Sequence, residues 1–174
     1  DKVAAPTTHG AGNQMVVGVG LALVAAVGWS TSTVLVRPAL EAWGATLDFW
    51  RVAIKPGKPL LVATKGQQIV IGLPGNPVSS FVTAQLFLLP LLRKLGGARN
   101  PLPRLVAAQV HGPVPAGGNR LEFLRARWIG GRLQPIGEQD SSALRALAAA
   151  DALIERSIDA PEARDGDPIR AYLL

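Results

Sequence analysis

Residues 47–97 read LDFWRVAIKPGKPLLVATKGQQIVIGLPGNPVSSFVTAQLFLLPLLRKLGG. The runs at 47–54, 60–64 and 67–72 have the β-branched and aromatic composition of strands, and the last two are joined by a turn at Lys65-Gly66. They lead into a helix over 78–95. Asn76 stands at its cap, Pro77 at its first position and Gly96-Gly97 at its end. Pro90 is expected to kink the last turn, because proline lacks the N–H and its ring crowds the preceding turn. Strands followed by a helix of this length indicate an α/β unit.

Upstream, residues 15–36 carry no charge. Two readings stay open for this run, a buried core helix and a membrane span. Residues 1–14 are polar and Gly/Pro-punctuated, and are expected to form a disordered terminus. A short helix is expected to open at Arg37-Pro38 and to close at Gly44. Downstream, GGARNPLP at 96–103 has linker composition. Beyond it LVAAQVH, RLEFLRARWI, GRLQPI, DALIERS and DPIRAYLL read as five strands, and ALRALAAA at 143–150 reads as a helical turn. The expected architecture is α/β: a partial three-layer α/β domain over 15–97, then a small all-β C-terminal domain over 98–174.

Composition narrows the function. The chain has 174 residues, 48% of them apolar, which excludes a disordered chain. It has no cysteine, which excludes disulfide scaffolds and thiolate zinc sites. The two histidines, His9 and His111, are too far apart in sequence to suggest a metal site, so no metal-ligating residue is assigned. Eighteen Lys+Arg against twelve Asp+Glu give a net charge of +6, which favours an anionic partner. The nine aromatics are not interleaved with the basic residues, which argues against nucleic acid and for a small anionic substrate.

Two loops have the chemistry to hold such an anion. Lys55 and Lys58 lie three apart in a loop stiffened by two prolines, so both can address one ligand. In the second loop, Gly72 to Ser80, the N-terminus of the helix is expected to offer unpaired N–H groups and a partial positive charge. It is not a Walker loop, because the Lys-Ser/Thr pair is missing. Either loop by itself also reads as a rigid connection. Arg125 and Arg127 share one face of an alternating strand, which reads equally as an exposed basic edge.

DFWRVAIKPGKPL followed by VIGLPGNPVSSFVTAQLFLLPLLRKLGG resembles the signature region of the molybdopterin molybdenumtransferases, and GGNRLEFLRARW with GRLQPIGEQDSSALRALAAADALIE resembles that family's small C-terminal β domain. The resemblance implies that 15–97 is part of a molybdopterin-binding domain. It implies insertion of molybdate into adenylylated molybdopterin with release of AMP, with Mg2+ as cofactor, in a cytoplasmic homodimer. By matching position, Arg51, Lys55 and Lys58 are the catalytic candidates, and Pro74, Gly75, Asn76, Pro77 and Ser79 line the same pocket. Arg125 and Ser141 match polar residues that the family turns toward the neighbouring subunit's site. The family's acidic T-S-G-G loop is not matched. Its place holds Gly28-Trp29-Ser30-Thr31-Ser32-Thr33, and Asp140 stands where the family usually has glycine. The chain is therefore expected to be a portion of a working enzyme. Residues 15–36 also resemble, more weakly, a membrane helix of EamA-type transporters.

Overall fold

Two antiparallel-rich sheets and a long helix lying on one of them make up the protein in a computed structural model that describes residues 29–140 and 143–174. Helix α1 (Trp29–Ala42) begins eight residues before the expected start and runs through Pro38. The correction has a packing cause: Val36 and Leu40 rest on Leu61 and Ala63 of the first sheet, and this burial outweighs the one hydrogen bond that an interior proline forfeits. Gly44, at φ 81°, closes α1 in a Schellman motif, with Gly44 N–H donating to Glu41 O and Ala45 N–H to Leu40 O, both at 2.9 Å. Residues 15–28 of the uncharged run lie outside the described residues. Its remainder, 29–36, forms the first part of α1.

The first sheet has the order β1 (Thr46–Trp50), β3 (Leu61–Lys65), β4 (Gln68–Gly72). In the β3–β4 hairpin Lys65 pairs with Gln68, so the turn is Gly66-Gln67, one residue later than expected, with Gly66 at φ 58°.

The expected strand over 47–54 is two strands in two sheets. β1 ends at Trp50, Arg51 adopts φ 70°, and β2 (Ile54–Lys55) runs parallel to β6 (Leu121–Ile129), pairing Ile54 with Leu121 and Lys55 with Glu122. The left-handed conformation at a non-glycine residue costs about 1–2 kcal/mol. It is held by Arg51 N–H to Leu60 O, Val52 N–H to Lys58 O and Leu121 N–H to Ala53 O, each 2.9 Å.

The second sheet has the order β2-β6-β8-β9-β5, with β7 (Arg132–Pro135) on β6, β5 spanning Leu105–Gln109, β8 Ala152–Arg156 and β9 Pro168–Leu173. All five strands expected in this part of the chain are present, and the helical turn is α3 (Leu144–Ala148). β8 explains why this sheet is a layer and not a half-wet surface. Ala152 and Ile154 bury in one apolar cluster with Val110, Leu133 and Ala171, while Leu153 buries in another with Ile54, Val82 and Phe123.

The second cluster is where α2 (Pro77–Leu95) docks, through Val82, Leu86 and Phe87. By length and composition α2 could cross a membrane; here that apolar face meets the second sheet. Its middle, Ala84–Leu88, is π-helical, with Leu89 N–H donating five residues back to Ala84 O. The wide turn lies just before Pro90, where an ordinary α-turn would press the proline ring on the carbonyl four residues back. Gly97, at φ 83°, closes α2 in a second Schellman motif.

Candidate functional site

The KPGKP loop gains its shape from three supports. Its ends are tied by the Arg51 and Val52 amides to Leu60 and Lys58. The Lys55-Pro56 peptide is cis. Its centre, Gly57 at φ 119°, is pressed on α2 so closely that a Cβ would stand 2.5 Å from Thr83 Cγ2 and 2.9 Å from Ile54 Cδ1. Thr83 is itself fixed, its hydroxyl donating to Ser79 O at 2.8 Å and Ser80 O at 3.1 Å. The two loops singled out in the sequence thus follow strands of different sheets and meet through α2.

They do not divide the chemistry as expected. Lys55 Nζ donates to Glu122 Oε1 at 3.2 Å; the carboxylate is largely buried and the ammonium half-exposed. Lys58 instead lines an open cleft of about 490 Å³ with Arg51, Val52, Ala53, Asn119 and Arg120. Three cations face this cleft, and among the described residues no carboxylate lines it. Among the described residues none of the three has an acidic partner within ion-pair distance. The Arg51 guanidinium also lies over the Trp50 ring, 4.6 Å from its centroid, which favours a conformation close to the backbone.

The N-terminus of α2 is not the open anion cradle expected. Asn76 Oδ1 accepts from the Val78 and Ser79 amides at 3.1 and 3.2 Å, Pro77 has no N–H, and the Ser80 amide donates to Asn76 O at 2.8 Å. The first-turn donors are therefore spent inside the loop. Pro74 is buried, its carbonyl taken by the Ser80 hydroxyl; Ser79 is buried, Asn76 half-buried, and Gly75 and Pro77 exposed. None of these five residues lines the cleft.

Arg125 is not part of an exposed basic edge. It is fully buried, whereas Arg127 on the same strand face is exposed. Arg125 Nη2 donates to Glu138 O and Asp140 O, both at 2.8 Å, and Gln139 bridges the backbone of Arg125 through its side-chain amide at 3.0 and 2.9 Å. Burial lowers the Arg125 pKa, and the charge of Asp140 opposes the shift. Ser141 lies outside the described residues.

The side of the cleft that the sequence reading missed is Asn119 and Arg120. The place of Arg120 depends on the parallel pairing of β2 with β6, a non-local contact with no local signal.

Comparisons with known proteins agree with this architecture. Residues 31–94 match the family described as a probable molybdopterin binding domain, and residues 107–174 match the MoeA C-terminal region, domain IV. The chain is similar to the molybdopterin molybdenumtransferase of Synechococcus elongatus, 41% identical over 121 residues, 64% of this chain and 28% of that protein. It is also similar to the molybdenum cofactor synthesis protein cinnamon of Drosophila melanogaster, 37% identical over 147 residues, 80% of this chain and 24% of that one. In structure it is similar to the molybdopterin biosynthesis moeA protein of Pyrococcus horikoshii, with a TM-score of 0.62 and 30% identity, covering 74% of this chain and 32% of that one. It spans about a quarter to a third of the length of these relatives. With two family regions in the family's order and folds to match, the chain belongs to the molybdopterin molybdenumtransferase (MoeA) family.

Proposed function

We propose that this chain acts in molybdenum-cofactor biosynthesis, binding adenylylated molybdopterin together with molybdate for the insertion of molybdate and release of AMP. The cleft beside the KPGKP loop carries this reading, because Arg51, Lys58 and Arg120 line it and no carboxylate among the described residues does. Two anionic oxygens brought to about 4 Å repel by about 4 kcal/mol at an effective dielectric of 20. Fixed positive groups at the meeting point offset that cost without reorganising during the reaction. In this reading Arg51 and Lys58 hold the oxyanions. Lys55 sets the loop through Glu122, and the Pro74–Ser79 loop holds α2 behind Gly57.

Magnesium does not fit the described residues. They contain no group of three or more histidine or acidic side chains placed to hold a metal ion, and the cleft is cationic. No step is routed through it. The reading takes the protein as a cytoplasmic homodimer, which sedimentation and cell fractionation test.

A second reading, a module that binds molybdopterin without turnover, is favoured by that same lack of carboxylates. Equilibrium binding of adenylylated molybdopterin is the first test: saturable binding that weakens in Lys58→Ala supports either reading, and no binding removes both. Release of AMP that depends on molybdate then establishes turnover, and its absence leaves the binding module.

A further inference from the structure

We infer that Glu122 is a positioning residue for the proposed site: its carboxylate, set between Lys55 and Arg156 on three adjacent strands, holds Lys55 and through it the KPGKP loop, without lining the cleft itself. The inference rests on the reading of that cleft as the site of an anionic substrate, and adds what keeps its loop in place.

Alternation puts the three charges on one face of the second sheet. Ile54 and Phe123 bury in the cluster against α2, so their neighbours Lys55 and Glu122 belong to the other face. Ile154 buries on that other face, and Arg156 follows two residues later. The register then lines them up: Lys55 is opposite Glu122, and Glu122 is opposite Arg156. Opposite charges on facing strand positions attract, and the row runs plus, minus, plus.

Glu122 has little freedom in this row. Its side chain is 15% exposed, and a Cβ on Gly118 would stand 3.6 Å from its Oε1. Arg156 is buried, with its guanidinium donating to Pro115 O at 3.3 Å and to Pro161 O. Lys55 Nζ meets the carboxylate from the open side, at 3.2 Å. β2 is only two residues long, so its hold on β6 rests on few hydrogen bonds, on the burial of Ile54 and on the Lys55–Glu122 pair. Among the described residues Arg51, Lys55, Lys58 and Arg120 have one ion-pair partner between them, and it is Glu122. Loss of its charge leaves these cations to repel one another and unfastens the strand that leads into the loop.

Position and bare charge have opposite signs here. Removal of a carboxylate close to a cationic cleft strengthens anion binding by Coulomb's law alone. Removal of the group that fixes the loop weakens it, because the cations lose their preorganisation.

The test combines equilibrium binding of adenylylated molybdopterin with amide hydrogen exchange of residues 51–58. Both are measured on the whole chain, for unaltered protein, Glu122→Gln, Glu122→Asp, Lys55→Gln, the double variant of Lys55→Gln with Glu122→Gln, and Glu41→Gln. Glu41 is exposed on α1, pairs with Arg37 and lies outside the cleft, so its variant removes an equal charge elsewhere. We expect Glu122→Gln to weaken binding about threefold to tenfold and to speed exchange of the Arg51 and Val52 amides. Glu122→Asp, which keeps the charge on a shorter side chain, should lose less, and Glu41→Gln should leave binding nearly unchanged. In the Lys55→Gln background, Glu122→Gln should weaken binding no further, because its effect passes through Lys55. Should Glu122→Gln not fold, Glu122→Asp carries the test, with a loss of about twofold expected. Unchanged or tighter binding by Glu122→Gln, losses that add in the double variant, or unchanged exchange overturns the inference. If unaltered protein does not bind adenylylated molybdopterin, the functional reading falls and exchange alone decides: faster Arg51 and Val52 amides in Glu122→Gln uphold Glu122 as the group that holds the loop, and unchanged ones overturn it.

Discussion

Gly57 lies against Thr83 so closely that a Cβ would come to 2.5 Å from Thr83 Cγ2, and through this contact the KPGKP loop and α2 fix each other. Gly57→Ala therefore adds an atom where there is no room and a side chain where φ is 119°. Overpacking costs typically about 1–3 kcal/mol and a left-handed non-glycine residue about the same. A loss of roughly 2–5 kcal/mol in unfolding free energy is expected from urea denaturation. Thr83→Ser removes Cγ2 but keeps the hydroxyl, so the double variant should recover part of the loss. A purely additive double variant would show that the contact is not the cause.

What could be read from the sequence follows from where the information lies. The five C-terminal strands and the ends of α2 carry their signals locally, as alternation, Asn76-Pro77 and Gly96-Gly97. The break at Arg51 does not, because residues 47–54 favour β structure throughout. The chain leaves one sheet for the other on account of Leu60, across the KPGKP loop, and of Leu121, a partner distant in sequence. Arg125 and Arg127 are equivalent by alternation, yet only Arg125 is covered by the turn at 137–140. Asn76 teaches a further point. Naming it as a cap already implied that the amides it caps are not available to an anion, so the two expectations drawn from one residue were incompatible.

Asn76→Ala tests that cap. The variant loses the acceptor of two amides at the start of α2, and a loss of about 1 kcal/mol is expected by chemical denaturation. Asn76→Asp should restore it, since a carboxylate accepts the same bonds and is favoured by the positive helix terminus. Oxyanion binding strengthened by Asn76→Ala would show that the capped amides compete for the ligand after all.

Arg125→Met keeps an apolar filling but strips Glu138 O of its Nη2 donor and leaves Asp140 O with the Ala143 N–H at 3.2 Å. Leaving an acceptor such as Glu138 O unmet costs about 1–3 kcal/mol. Amide exchange in the 137–140 turn should speed up, while the Gln139 side-chain bridge to the Arg125 backbone keeps β6 in register. A more stable Arg125→Met would mean that burying the guanidinium costs more than its hydrogen bonds return. Because burial lowers the Arg125 pKa, the charged form is disfavoured in the fold at every pH below that value, and the penalty is relieved only at strongly alkaline pH. The difference between Arg125→Met and unaltered protein should therefore be flat between about pH 6 and 9 as far as this group is concerned.

Asp165 shifts stability with pH in the same direction, rising with pH, but in the acid range. The Gly112 N–H, donating at 2.8 Å, is the main cause that holds its carboxyl below the ordinary range, with the charges of Arg132, 3.1 Å away, and His111, at 3.5 Å, adding to it. A carboxyl depressed in the fold stabilises it above the unfolded value, near 3.9, and loses that contribution as pH falls through the folded value. Asp165→Asn retains an acceptor for Gly112 and removes only the charge. It should therefore be less stable than unaltered protein at neutral pH and approach it as the pH is lowered below about 4. Thermal unfolding of both proteins from pH 7 to pH 2 reads this directly. Parallel curves over that range would show that the Asp165 charge contributes nothing to the fold.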